Sequence, residues 1–160
     1  MNPKAMVSLA CAISLVACGS STGGPTPVDG GSGTVIDCST DPRVSKYAPN
    51  LSVNSASGAL DFILLSSTPA PPAAENNVWS IRITNDAGVS QPDVTATVLP
   101  FMPDMGHGTS IVPSMTSNGD GTYAVQPLYL FMAGIWSITF TTTPASGPSD
   151  SAAFFFCVEG

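Results

Sequence analysis

The sequence predicts an all-β chain, an immunoglobulin-like antiparallel β-sandwich of about seven strands. Three observations carry that expectation. Several short stretches alternate apolar and polar residues with period two, and clusters of Gly, Asn, Asp and Pro punctuate them at intervals that suit a sandwich. No stretch longer than two helical turns shows apolar residues at helical spacing with the caps a helix wants.

Residues 61–65 form an early strand. Residues 67–77, with Pro69, Pro71 and Pro72, read as a long irregular connection. Residues 78–84 send Trp79, Ile81 and Ile83 to one face and Ser80, Arg82 and Thr84 to the other. Asn85-Asp86-Ala87-Gly88 follows as a tight turn, because Asn, Asp and Gly tolerate positive φ. Residues 93–99 alternate again, with Val94, Ala96 and Val98 against Thr95 and Thr97. Asn118-Gly119-Asp120-Gly121 is a strong turn signal ahead of Tyr123 and Val125. In residues 135–141 Trp136, Ile138 and Phe140 point inward and Ser137, Thr139 and Thr141 outward, and the threonine and aromatic content favours strand over helix. Residues 152–158 make a last aromatic-rich strand containing Cys157. Trp79 and Trp136 are the expected core anchors.

The start of the chain reads as an export signal over residues 1–17, an apolar run too short to span a membrane as a helix. It ends in Leu15-Val16-Ala17-Cys18, which resembles the lipobox of bacterial lipoproteins, and so predicts a diacylglycerol on the Cys18 sulfur. The simpler reading is cleavage near Cys18 without lipidation. Ser8-Leu9-Ala10-Cys11 is a poorer lipobox, with serine where Leu or Val is wanted. Gly19 after the cysteine, in place of aspartate, favours the periplasmic side of the outer membrane. Residues 18–33 are a flexible Gly, Ser, Thr and Pro tether with too little apolar surface to fold. Residues 34–160 fit one compact domain.

Four basic against eleven acidic residues give a formal charge of -7. Phosphate recognition needs clustered Lys and Arg, so nucleic acid is not an expected partner. The acids are scattered, as on an ordinary solvated surface. Of the four cysteines, Cys11 leaves with the signal and Cys18 carries lipid, so Cys38 and Cys157 are the natural disulfide in an oxidising compartment. Closing a loop on the order of 100 residues contributes roughly 4–5 kcal/mol in the chain-entropy account. The alternative, both thiols as copper ligands, lacks a Cys-x-x-Cys spacing and lies far in sequence from His107.

Chemistry concentrates in Pro100-Phe101-Met102-Pro103-Asp104-Met105-Gly106-His107-Gly108, which holds the single histidine of the chain beside two methionines. Thioether sulfur and neutral imidazole, with no thiolate, suit cuprous copper better than zinc, calcium or magnesium. In an extended segment residues two apart point the same way, so Met105 and His107 converge, and Pro103 bends the chain to bring Met102 alongside. Met132 adds a fourth contact from a neighbouring loop, and Met115 is a weaker candidate.

Taken in order, the turn at 85–88, the alternating residues 94–99, Met102-Pro103-Asp104-Met105-Gly106-His107-Gly108, Gly119-Asp120-Gly121-Thr122-Tyr123 and Phe131-Met132-Ala133-Gly134-Ile135-Trp136 resemble the YtkA-like domain. This is a small β-sandwich module of bacterial exported proteins, related in pattern to FixH and found near metal and respiratory-oxidase functions. The resemblance covers about residues 76–158 and implies the fold more firmly than an activity. The loop is also similar to that of periplasmic copper chaperones, but their second histidine followed closely by methionine is missing.

Two readings therefore stand. In one, His107, Met105, Met102 and Met132 bind or deliver Cu(I) at the membrane-anchored end of the cell envelope, with a copper-handling partner. In the other, the methionines plug the open end of the sandwich, His107 bonds a backbone carbonyl, and the domain is a metal-free interaction module for another envelope protein. Enzymatic activity is not expected, since Asp104, His107 and Ser110 crowd one short loop with no recognisable nucleophile frame.

Overall fold

The computed structural model describes residues 37–143 and 148–160. The signal, lipobox and tether readings, with Cys11 and Cys18, lie outside the described residues. The described residues form nine strands: β1 (Leu51–Asn54), β2 (Leu60–Thr68), β3 (Glu75–Asn85), β4 (Ala96–Met102), β5 (His107–Gly108), β6 (Ser114–Ser117), β7 (Thr122–Leu130), β8 (Gly134–Thr142) and β9 (Ser151–Val158). They form two antiparallel sheets, ordered β1-β2-β3-β7-β6 and β5-β4-β8-β9, packed as a sandwich. The described residues contain no helix.

The six strands located in the sequence are present with shifted ends, and the other three are the short edge strands β1, β5 and β6. Strand β2 runs on to Thr68, so the irregular connection is shorter than expected. Strand β4 begins at Ala96 and continues through Pro100 to Met102. Proline is tolerated there because β5 pairs only with Phe101 and Met102, leaving Pro100 a ladder partner on the β8 side alone.

The core lies between the sheets and is built from the period-two faces. Phe62 and Leu64 of β2, Trp79, Ile81 and Ile83 of β3, and Trp136, Ile138 and Phe140 of β8 are all fully buried. Trp79 stands edge-on to Phe154 and Phe156, with ring centroids 5.7 and 5.5 Å away. Across the sandwich, the Tyr123 hydroxyl accepts the Val94 amide at 3.0 Å and donates to the Gln91 carbonyl. That links β7 to the segment entering β4.

Cys38 and Cys157 are bonded as expected, with Cα atoms 5.4 Å apart. The arm that precedes β1 is thereby pinned to β9, and the Ser45 amide donates to the Phe155 carbonyl at the same edge. A row of unpaired backbone groups on β9 is in this way partly covered.

Candidate functional site

The soft-donor segment is a tight hairpin at one end of the second sheet. Strand β4 ends at Met102, Pro103-Asp104-Met105-Gly106 makes the turn, and β5 begins at His107. Proline supplies the φ wanted at the first turn position. The amides of Met105 and Gly106 both donate to the Met102 carbonyl, at 3.2 and 2.9 Å. Gly106 takes φ +69°, a left-handed value that glycine adopts without side-chain strain. A side chain at Gly108 would put its Cβ 2.5 Å from the Pro100 carbonyl oxygen, so the hairpin closes only with glycine there.

This register sets Met102 directly opposite His107. Paired positions of an antiparallel ladder share a face, with Cβ atoms about 4.5–5.5 Å apart. Met102 and His107 are thus brought together across the hairpin. Met105 belongs to the turn, where the two-apart rule for extended backbone no longer applies, and its side chain is 55% exposed.

Met102 is 2% exposed and packs in the core. Its methyl lies under Gly134, where an added Cβ would approach it to 2.7 Å. Met132 is half-buried against the core, and its carbonyl accepts the Trp136 indole N–H at 2.9 Å. Met115 sits on β6 in the other sheet, opposite Val125. His107 is half-buried, its ring stacked on Phe131 with centroids 5.6 Å apart and planes 23° from parallel. Phe131 in turn stands edge-on to Trp136 and stacks on Tyr129. Among the described residues the buried side-chain polar atom without a partner is Trp79 Nε1, not a His107 ring nitrogen.

A cavity of about 320 Å³ opens beside the turn. Met102, Asp104 and Met105 line it from the hairpin, Asp37 and Asp41 from the arm, and Gly134 and Ile135 from β8. His107 and Met132 are not on its wall. Arg43 joins the two sides, with Nη1 and Nη2 at 2.7 and 2.9 Å from the Asp104 carboxylate and Nε and Nη2 at 3.0 and 2.9 Å from that of Asp41. The guanidinium hydrogen bonds lower the Asp41 pKa to about 2 and lower that of Asp104 as well. Among the described residues no three His, Cys, Asp or Glu side chains converge as a metal-binding group.

Residues 58–141 match the YtkA-like family, a stretch that begins in the turn before β2 and ends within β8. The chain belongs to the YtkA-like family. No curated protein and no solved structure matches it. The YtkA-like stretch starts earlier than the resemblance in the sequence suggests and includes β2; it contains the hairpin and Met132, while the arm, β1, β9 and both disulfide cysteines fall outside it.

Sequence reasoning missed two residues around the YtkA-like hairpin. Phe131 was legible as part of the Phe-Met-Ala-Gly-Ile-Trp element, but stacking on His107 depends on how the sheets pack. Arg43 carries no signal at all: its partner Asp104 lies 61 residues away.

Proposed function

We propose that this protein is an exported, lipid-anchored YtkA-like domain that binds or delivers Cu(I) through its Met/His hairpin. The observation that carries the reading is the placement of His107: a half-buried imidazole, stacked on Phe131, across the strand pair from Met102. His107 and Met102 supply nitrogen and sulfur from facing positions, Met105 adds an exposed sulfur from the turn, and Met132 completes the donor set. Methionine's flexible chain lets the buried Met102 sulfur re-aim at moderate cost. Stacking on Phe131 fixes the imidazole plane, which lowers the ordering cost of binding. Cys18 carries the lipid and residues 18–33 hold the domain off the membrane, on the periplasmic side of the outer membrane. Its role is ion handling with a copper-carrying partner, not catalysis.

Titration of the protein with Cu(I) against a competing chelator tests this. The His107→Ala, Met105→Ala double variant is expected to lose most of the affinity; unchanged affinity would refute the proposal.

A second reading is a metal-free interaction module. It is favoured by apolar side chains exposed beside the hairpin: Met105 in its turn and Phe131, 39% exposed, against His107. Capture of a membrane partner that survives substitutions throughout residues 100–108 counts against it.

A further inference from the structure

We infer that the arm formed by residues 37–43 is a clasp that presets the geometry of the Met/His hairpin, with Arg43 as its positioning residue. The inference rests on the proposed function for its consequence, but its structural basis is separate.

Three contacts build the clasp in sequence. The disulfide fixes Cys38 to β9. Two turns then carry the chain outward, with the Asp41 amide donating to the Cys38 carbonyl at 3.1 Å and the Val44 amide to the Asp41 carbonyl at 3.0 Å. Arg43 is oriented by its own neighbour, since both its amide and its guanidinium donate to the Asp41 carboxylate. The remaining edge of the fork meets both oxygens of Asp104, the residue between Pro103 and Met105 in the turn.

An isolated surface ion pair contributes little, because two long side chains must be ordered to form it. Here much of that ordering is already done. The arm is covalently anchored, the guanidinium is held by Asp41, and Asp104 rides on a hairpin closed by its own backbone bonds. A bidentate Arg and carboxylate pair also fixes direction, which a single contact does not. The arm, through Asp37, Cys38, Thr40 and Asp41, lines the same cavity as Met102 and Met105.

Arg43 and both cysteines lie outside the stretch shared with the family, whereas Asp104 lies inside it. The clasp therefore ties the matched stretch to the arm that precedes it. Its effect is to hold the turn, and with it Met105, in one orientation before any ion arrives.

The test compares Arg43→Gln, Asp104→Asn and the double variant in the full chain. The first readout is hydrogen exchange at the Met105 and Gly106 amides. Each single variant is expected to exchange at least about twofold faster there, with core amides of β3 and β8 unchanged, and the double variant no faster than either single one. The second readout is Cu(I) affinity by chelator competition, expected to fall at least about twofold in the same variants. A Cys38→Ser, Cys157→Ser variant that still folds should reproduce the exchange result. Unchanged exchange at the two amides, or strictly additive effects, overturns the clasp. Absence of Cu(I) binding by the unaltered protein overturns the proposed function and leaves the exchange result to decide the clasp.

Discussion

Replacing Gly134 by alanine puts a methyl group where the fold has no room and no suitable backbone. Gly134 opens β8 at φ +134°, a region that residues with a Cβ rarely occupy. Holding a non-glycine residue there costs about 1–3 kcal/mol. The new Cβ would also come within 2.7 Å of the Met102 methyl. That atom ends a flexible side chain, so the clash is relieved by a changed rotamer, at about 0.5–1.5 kcal/mol in a packed core. Backbone strain is thus the larger effect, and the two together predict about 2–4 kcal/mol of destabilisation. For a domain of this size that lowers Tm by roughly 5–15 °C. Thermal and urea unfolding of Gly134→Ala, Met102→Ala and the double variant separate the parts. In the Met102→Ala background the steric share disappears, so the substitutions should couple by about 1 kcal/mol. A Tm within about 2 °C of the parent would refute the backbone argument; complete additivity would refute the contact with Met102.

Removing the disulfide by Cys38→Ser and Cys157→Ser, which are 119 residues apart, should cost about 4–5 kcal/mol in urea unfolding, and a loss under about 1 kcal/mol would show that the anchored arm contributes little. The two tryptophans should differ, because Trp136 donates to the Met132 carbonyl while the Trp79 indole N–H finds no partner among the described residues. Trp136→Phe is expected to lose about 1 kcal/mol more than Trp79→Phe attributable to that bond, with the reverse order contradicting the assignment. Acid should also destabilise the domain. The Ser55 and Ser57 hydroxyls hold the Asp150 carboxyl at about 2, below its ordinary 3.8, with Ser57 Oγ 2.6 Å from Oδ2. A carboxyl depressed in the folded state stabilises above its unfolded pKa and loses that contribution as pH falls through the folded one. Tm should therefore drop between about pH 4 and pH 2, and the drop should be shallower in Asp150→Asn; an equal slope would exclude Asp150 as a contributor.

The parts of the fold visible in the sequence are those where one face is buried and the other solvated. Trp79, Ile81 and Ile83, and Trp136, Ile138 and Phe140, alternate because β3 and β8 each turn one face to a common core. The cysteine pair was legible because two cysteines, Cys38 and Cys157, remain once Cys11 and Cys18 are set aside on the expectation of a lipoprotein signal. Edge strands were not legible. Strand β5 is two residues long and β6 only four, too short to show a period, and Pro100 reads as a break although it lies within β4. That proline hid the strand at the site: Met102 belongs to β4 and not to a loop, so it stands across the ladder from His107. The Met-x-Gly-x-Trp element was visible as a pattern, while its cause, a Trp136 bond to Met132 and a glycine over Met102, appears only in the packed sandwich. Contacts between residues distant in the chain, such as Arg43 with Asp104 or His107 with Phe131, leave no local trace.

X-ray absorption at the copper edge of the Cu(I)-loaded protein tests the central claim most directly, because nitrogen and sulfur neighbours scatter differently. The hairpin account predicts an imidazole nitrogen together with thioether sulfur around the ion, with the nitrogen contribution lost in His107→Ala and sulfur diminished in Met105→Ala. A spectrum with no sulfur neighbour, or one unchanged by either substitution, would contradict it.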